Sequence, residues 1–419
     1  MERERTRSVR ANFLLFLLGR MVSDIGNSVQ MMVMPLYILD IGGSAATIGI
    51  FAFLSLIPTL IIYPFAGVIG DRLNRKMIMV VTDLLSAAII ILLGVASYQG
   101  LMKIPLLLIV QTMISLLNGL FEPATRGMLP RLVERKELTR RNSIVASLRS
   151  ISIMVGPVIG TALYANFGIT LVFMINGISF FLSGVSEMMI KYAHIQRNKN
   201  EVSQGIIKDL LEGLHFIIKN RIIRNLCYFF FAIYFVVQPI FGVILPVFFK
   251  KELNYSDTYY GYLQAIIILG AVIGSVLVGI YFGKEDKPLK PLRIGSGLLI
   301  GTMLMLFTLL SPKSLELLGN DSLQYLALLA GTLGVFSLAN IFISVPAQTY
   351  IQRETPDEYM SRVLSLVSMI SRGGMPLGAV VFGIILELIG IPRTVWLATL
   401  AMILICIVFF KKQKNNWRK

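Results

Sequence analysis

Long apolar runs alternate with short polar breaks along the whole chain of 419 residues. About 20 apolar residues in a helix cross the hydrocarbon core of a bilayer, where lipid offers the backbone no hydrogen-bond partner. Runs of this length therefore predict an all-α polytopic membrane protein. Twelve runs qualify, over residues 11–39, 45–70, 77–98, 104–125, 142–165, 169–190, 223–249, 257–283, 291–311, 322–350, 362–388 and 391–410.

The longest polar break, residues 191–222, follows the sixth run. Two similar segments, PATRGMLPRLVERKEL at 123–138 and PAQTYIQRETPDEYM at 346–360, occupy corresponding places before and after it. This repeat predicts two pseudo-symmetric six-helix bundles, residues 1–190 and 223–419, joined by the linker 191–222. Internal repeats are typical of secondary transporters, whose substrate site lies between the repeats near the middle of the membrane.

The linker contains an amphipathic segment. Its apolar residues recur at helical spacing and would share one helix face: Ile206, Ile207, Leu210, Leu211, Leu214, Ile217 and Ile218. Such a helix would lie on the inner membrane surface or pack on the cytoplasmic ends of the bundles, and the pattern leaves both open.

The charge distribution indicates the orientation. The chain has 39 Lys and Arg against 23 Asp and Glu, a net charge of +16. With a cytoplasmic N-terminus, 31 of the basic residues fall in inner segments and 5 in outer loops. An excess of Lys and Arg in cytoplasmic loops is the usual orientation signal. We therefore expect both termini in the cytoplasm, with the basic residues facing anionic lipid headgroups rather than nucleic acid.

No pattern in the sequence indicates a cofactor or a metal. Cys227 and Cys406 each lie alone in an apolar run, and His194 and His215 lack ligand spacing. A Gly-rich loop ending in Gly-Lys-Ser or Gly-Lys-Thr, the sign of ATP binding, is absent from the sequence. We therefore expect no cofactor, no enzymatic activity and no ATP-driven transport.

The break between the second and third runs carries the sharpest motif, GVIGDRLNRK. It resembles the Gly-x-x-x-Asp-Arg-x-x-Arg-Lys loop of the major facilitator superfamily. The matching residues are Gly67, Asp71, Arg72, Arg75 and Lys76. The resemblance implies the major facilitator fold and a conformational latch at this loop, which favours one facing state. A turn that only sets the topology is the alternative.

The fifth run contains a second motif, formed by Gly156, Pro157 and Gly160. Glycine removes side-chain bulk and proline interrupts a helix, so a packing kink would explain these residues by itself. The segment is also similar to the Gly-Pro-x-x-Gly-Gly signature of drug:proton antiporters in the superfamily, with Thr161 in place of the last glycine. This resemblance favours export over uptake.

The segment 121–143 is similar to the macrolide-efflux-like branch of the superfamily, which has siderophore and lysophospholipid transporters as relatives. The matching residues are Pro123, Ala124, Pro130, Leu132, Val133, Leu138 and Asn142. One departure concerns the fourth helix, where many proton-coupled antiporters carry an Arg ahead of a pair such as Gln-Gly. With Asn118-Gly119 as that pair, Ser115 occupies the Arg position, which weakens the case for the usual proton-coupling arrangement.

Charged and polar residues inside the apolar runs are the candidates for coupling and substrate binding, because each charge costs about 2.5–3.5 kcal/mol at membrane depth. The resemblance places helices 1, 4, 7 and 10 around the central cavity, which gives Asp24 the best position. The candidates are Asp24, Arg20, Arg149, Arg372, Asn27, Gln111, Asn118, Gln238 and Asn340.

Three roles remain open for Asp24. It could form a static pair with Arg20, carry a proton or cation, or contact the substrate. Arg20, one helical turn away, favours the ionised carboxylate. Asp24 can therefore carry a proton only if a conformational step or a substrate separates the pair.

The sequence thus predicts a transporter of the bacterial cell membrane. We expect a monomer that exports amphipathic small molecules, macrolide-like drugs or similar, by alternating access driven by an ion gradient, with the proton as coupling ion. One alternative is an exporter or flippase for an anionic siderophore or lysophospholipid. The other, from a different class, is a membrane sensor or assembly partner that transports nothing.

Overall fold

The computed structural model describes residues 2–72, 74–133, 137–191, 206–282, 289–356 and 360–413, and every regular element in these ranges is a helix. The helices before the linker are α1 (Glu2–Asp40), α2 (Ala45–Arg72), α3 (Arg75–Tyr98), α4 (Ile104–Leu132) and α5 (Leu138–Met188). The others are α6 (Ile206–Lys219), α7 (Arg221–Pro239), a π-helical turn (Ile240–Ile244), α8 (Leu245–Glu252), α9 (Asp257–Phe282), α10 (Leu289–Leu309), α11 (Pro312–Leu318), α12 (Leu323–Glu354), α13 (Met360–Ile389) and α14 (Ile391–Gln413).

α5 contains two membrane-crossing segments. Gly168 has φ 74° and ψ 178°, outside the helical region, and a positive φ favours glycine. This break falls between the fifth and sixth predicted runs. Within the described residues, ten helices are long and apolar enough to cross a membrane, and α5 supplies one of them. Division of α5 at Gly168 gives two membrane helices in place of one. α1 is a further membrane helix, although Arg20 and Asp24 interrupt its apolar run. The predicted twelve membrane helices are therefore confirmed.

The seventh membrane helix is interrupted by the π-helical turn. α7, the turn and α8 form one span from Arg221 to Glu252. Pro239 lies just before the turn and Pro246 just after it. Proline has no N–H to donate and displaces the preceding turn, so two prolines here favour the wider hydrogen-bonding pattern. Gln238, a predicted candidate, lies directly before this irregular turn.

The first compact unit comprises Met1–Gly43, Leu54–Asn198 and Ser256–Tyr262. In it, α1 and α3 pack along α5, and α3 also contacts α4. A buried apolar cluster joins α1, α3 and α4 and includes Phe13, Phe16, Met79, Phe121 and Met128. These side chains hold α1, which carries Arg20 and Asp24, against α3 and α4.

The second compact unit comprises Ser44–Phe53, Lys199–Tyr255 and Leu263–Lys419. Its most extensive helix pairs are α7 with α13 and α10 with α12. α13 approaches α7 closely at Gly374 and Gly378. A Cβ on Gly374 would overlap the backbone oxygen of Phe231, and one on Gly378 would overlap that of Phe235. Small residues at such crossings let membrane helices touch through their backbones.

The predicted amphipathic helix of the linker is α6, which packs against α7 and α13 within the second unit. Ile217 is buried, whereas Leu211 and Ile218 are exposed. The side chains of Ile206, Ile207 and Leu210 lie outside the described set. Helices thus cover part of the apolar face, and part of it remains uncovered.

Candidate functional site

Four charged side chains in the first unit form a continuous ion-pair network. Arg20 and Asp24 lie one turn apart on α1, and Arg20 Nε donates a hydrogen bond to Asp24 Oδ2 at 3.0 Å. Arg20 also donates to Glu122 on α4 and forms an ion pair with it. Arg149 on α5 approaches the same Glu122 carboxylate at 3.5 Å. Two guanidinium groups and two carboxylates thus connect three helices and balance one another in charge.

The network is sheltered except at one end. The exposed fraction of the side chain is 8% for Arg20, 15% for Glu122 and 21% for Asp24, but 48% for Arg149. Charges removed from water must be paired, because a buried charge without a partner is strongly destabilising. The Arg20 guanidinium also lies 5.3 Å from the centre of the Phe121 ring, within the range of a cation–π interaction. Arg20 is therefore the centre of the network.

Glu122 is not among the candidates selected from the sequence. It is separated from Arg20 by 102 residues, so no local spacing indicates the pairing. One signal was available, because Glu122 is an acid inside an apolar run on a helix expected to line the cavity. The partner of Arg20 could have been sought there.

A second polar contact joins α1 to the segment of α5 after Gly168. Asn176 Nδ2 donates to Gln30 Oε1 at 2.6 Å, and both residues are buried. Gly26 makes room for it, since a Cβ there would lie 2.6 Å from Asn176 Oδ1. The predicted candidate Asn27 is half-buried on α1. The buried amide pair, which the sequence did not indicate, fixes the register between the two helices.

The candidates on α4 lie on a helix that packs tightly on α2. Gln111 is buried and Asn118 is half-buried. Ser115, 1% exposed, donates to Ser55 O at 2.9 Å, and Thr59 Oγ1 donates to Ser115 O at 2.7 Å. The small hydroxyl of Ser115 therefore bonds the backbone of α2.

Arg372, the candidate on α13, lines a cavity of about 120 Å³ within the second unit. The other polar side chains around it are those of Tyr234, Ser344, Gln348, Ser368 and Ser371. Arg372 is exposed, and within the described part of the chain no ion pair joins it to an acid. The second unit thus presents a cation to its cavity.

The remaining candidates of the second unit, Gln238 and Asn340, are half-buried. Asn340 Oδ1 is buried without a hydrogen-bond partner among the described residues. Among those residues, no hydrogen bond links Gln238 or Asn340 to Arg372.

Part of the predicted latch is described. Asn74 caps α3 by accepting a hydrogen bond from the Lys76 backbone N–H. Arg75 Nη1 donates to Gly127 O on α4 at 2.6 Å, and Lys76 Nζ donates to Met188 O at the end of α5 at 2.7 Å. The loop cations therefore bind the carbonyls of two neighbouring helices. The side chains of Gly67, Asp71 and Arg72 lie outside the described set.

The Gly-Pro motif of α5 forms a close helix crossing with α1. A Cβ on Gly156 would overlap the Ser28 side chain, and one on Gly160 would lie 2.8 Å from Val29 O. The Pro157 carbonyl accepts a hydrogen bond from Thr161 Oγ1 at 2.8 Å, in the same helix. The motif therefore brings the backbone of α5 against α1 one turn beyond Asp24.

Twelve membrane helices, with a charged network inside the first unit, define a polytopic helical membrane transporter. A family model described as Major Facilitator Superfamily matches residues 16–375. The chain belongs to this superfamily.

Similar proteins extend over the full chain. The Macrolide efflux protein A of Streptococcus pyogenes is 23% identical over 416 residues, which cover 99% of each chain. The Multidrug efflux pump Tap of Mycolicibacterium fortuitum is 22% identical over 416 residues, 96% of each chain. Among solved structures, the nucleoside transporter NupG has a TM-score of 0.76 at 13% identity, over 96% of this chain and 98% of that chain. The structural likeness shows the fold alone.

The packing of Ser115 generates a test. Ser115→Arg places a charge against α2, where a Cβ on the nearby Gly119 would already overlap Ile62. We expect this variant to yield little folded protein by size-exclusion chromatography in detergent. Ser115→Ala, the matched control, loses one hydroxyl and should cost about 1 kcal/mol in the free energy of unfolding. A Ser115→Arg protein as stable as the wild type would contradict the observed contact between α2 and α4.

Proposed function

We propose that this transporter exports amphipathic small molecules of the macrolide type by alternating access, driven by the proton gradient. The observation that carries the proposal is the close crossing of α5 on α1 at Gly156 and Gly160, the motif associated with export. Two relatives of full length whose names describe efflux support the same direction. The proposed orientation places both termini in the cytoplasm, and the proposed state is a monomer.

The latch residues have a proposed role in this cycle. Arg75 and Lys76 bind backbone carbonyls at the ends of α4 and α5, and such contacts must break if these helix ends separate. Gly67, Asp71 and Arg72 are proposed to complete the latch on the strength of the motif. The latch would favour the state in which the loop stays bound.

Asp24 is proposed to be a structural charge rather than the proton carrier. Its carboxylate accepts from Arg20, which also binds Glu122, so protonation of Asp24 would remove one of the two acids that balance the Arg20 charge. The other polar candidates, Asn27, Gln111, Asn118, Gln238 and Asn340, are proposed to offer hydrogen bonds to the substrate.

A second candidate function is export or flipping of an anionic ligand, such as a siderophore or lysophospholipid. Arg372 favours it, because this exposed guanidinium lines a cavity and has no acid partner among the described residues. An anionic group could bind there through charge-assisted hydrogen bonds.

Counterflow in proteoliposomes tests the proposal. Vesicles loaded with unlabelled macrolide should transiently accumulate labelled macrolide, and a pH gradient should drive accumulation that a protonophore abolishes. Empty liposomes and a zwitterionic lysophospholipid are the controls. The second candidate function would be favoured if an anionic lysophospholipid exchanges, the macrolide does not, and Arg372→Gln abolishes the exchange. If neither probe exchanges, the protein does not transport either class.

The role of Asp24 gives a separate prediction. Asp24→Asn should retain accumulation driven by the pH gradient, because Arg20 keeps Glu122 as its partner. Leu18→Ala, which changes an exposed apolar residue on the same helix, is the control because it leaves the charges and the proposed substrate contacts intact. If Asp24→Asn retained exchange but lost gradient-driven accumulation, Asp24 would be the proton carrier.

A further inference from the structure

Two acids in the first unit remain outside the ion-pair network. Asp83 lies on α3, and Glu187 lies at the end of α5. Each residue is 2% exposed, so both are more thoroughly buried than any acid in the network. Nothing in the transport scheme above uses them.

Each of these acids has a carboxyl oxygen that lacks a partner. Asp83 Oδ2 and Glu187 Oε2 are buried and accept no hydrogen bond from any described residue. Most buried polar atoms in proteins are hydrogen-bonded, and an ionised carboxylate without compensation is very costly to bury. Protonation of one of these carboxyl groups would lower the cost of burying the two together.

The two acids are neighbours in space. They lie close enough to interact electrostatically, and Ser183, one turn before Glu187, lies beside Asp83. A Cβ on Gly184 would come within 3.6 Å of the Asp83 Cβ, which confirms that α5 meets α3 at this level. α1 closes the third side, because a Cβ on Gly19 would lie 3.2 Å from Ser183 Oγ.

Ser183 lies at the same level as the two acids and interacts with Asp83. Its side chain is 0% exposed, and its hydroxyl oxygen also lacks a hydrogen-bond partner among the described residues. A hydroxyl can donate to an ionised carboxylate and accept from a protonated one. The small polar space between α1, α3 and α5 therefore suits a carboxyl group that gains and loses a proton.

The charges around this space do not neutralise both acids. Arg20 and Asp24 face it from α1, and Glu122 on α4 pairs with Arg20. Arg20 attracts both buried acids, but its hydrogen bonds go to Asp24 and Glu122. Without a further cation, ionisation of one of two adjacent buried carboxyl groups disfavours ionisation of the other.

We propose that Asp83 and Glu187 form a proton-binding pair that takes up one coupling proton during transport. Uptake adds H⁺ to one carboxylate oxygen and forms one O–H bond, and release reverses it without any other bond change. The pair carries the function that Asp24 lacks because of its bond to Arg20. The inference rests on the proposed proton-driven export.

Infrared spectroscopy of the purified protein in lipid tests this pair without substrate or gradient. Between about pH 5 and about pH 9, the wild type should show a carboxylic-acid C=O band that disappears as the pH rises. Asp83→Asn and Glu187→Gln should each abolish this band or move its midpoint at least tenfold in proton concentration. Asp40→Asn, which removes an exposed acid at the C-terminal end of α1, is the control and should leave the band unchanged.

Several outcomes would overturn the pair. The first is absence of the band in the wild type, and the second is an unchanged band in both variants. The third is removal of the band by sodium or calcium at constant pH, because that result would indicate a cation site. If the variants do not fold, the conservative variants Asp83→Glu and Glu187→Asp, which keep both carboxyl groups, must still move the midpoint of the band. A band without proton-driven transport would count against the proposed function only, and proton-driven transport without the band would count against the pair only.

Discussion

The first bundle depends on one interaction, the binding of Arg20 by two carboxylates from different helices. A guanidinium at membrane depth is tolerated only with partners, and Asp24 on α1 and Glu122 on α4 supply them. Glu122 in turn reaches Arg149 on α5. The charges that make α1 less apolar than the other membrane helices therefore also tie it to two neighbours. The hydrogen bonds of Arg20 go to these two acids, so Arg20 does not form hydrogen bonds that would stabilise the ionised carboxylates of Asp83 and Glu187.

The second bundle shows that the fold does not require these charges. By the internal repeat, Arg20 and Asp24 correspond to positions near Phe231 and Phe235 on α7. Those residues meet α13 through their backbones at Gly374 and Gly378, much as α1 meets α5 at Gly156 and Gly160. The close helix crossing is thus common to both halves, whereas among the described residues the ion-pair network of four side chains lies in the first half.

The sequence predicts most of the fold, because apolar run length determines membrane helices almost directly. The break at Gly168 and the twelve-helix count followed from run boundaries alone. The site is less predictable, since its pairings join residues that are distant in the chain. The Arg20–Asp24 pair was visible as a local spacing, but Glu122 lies 102 residues from Arg20, and the proximity of Asp83 to Glu187 depends on how α3 packs on α5. Tertiary packing, rather than local pattern, brings these acids together.

The coupling between Arg20 and Glu122 tests the central claim most directly. A double-mutant cycle with Arg20→Met and Glu122→Gln, measured as free energies of unfolding in detergent, isolates the energy of this one contact between α1 and α4. The structure predicts a favourable coupling of about 1–3 kcal/mol, with the single Arg20→Met variant the least stable of the set because it leaves two acids without their shared cation. Additive effects of the two substitutions would contradict a network centred on Arg20.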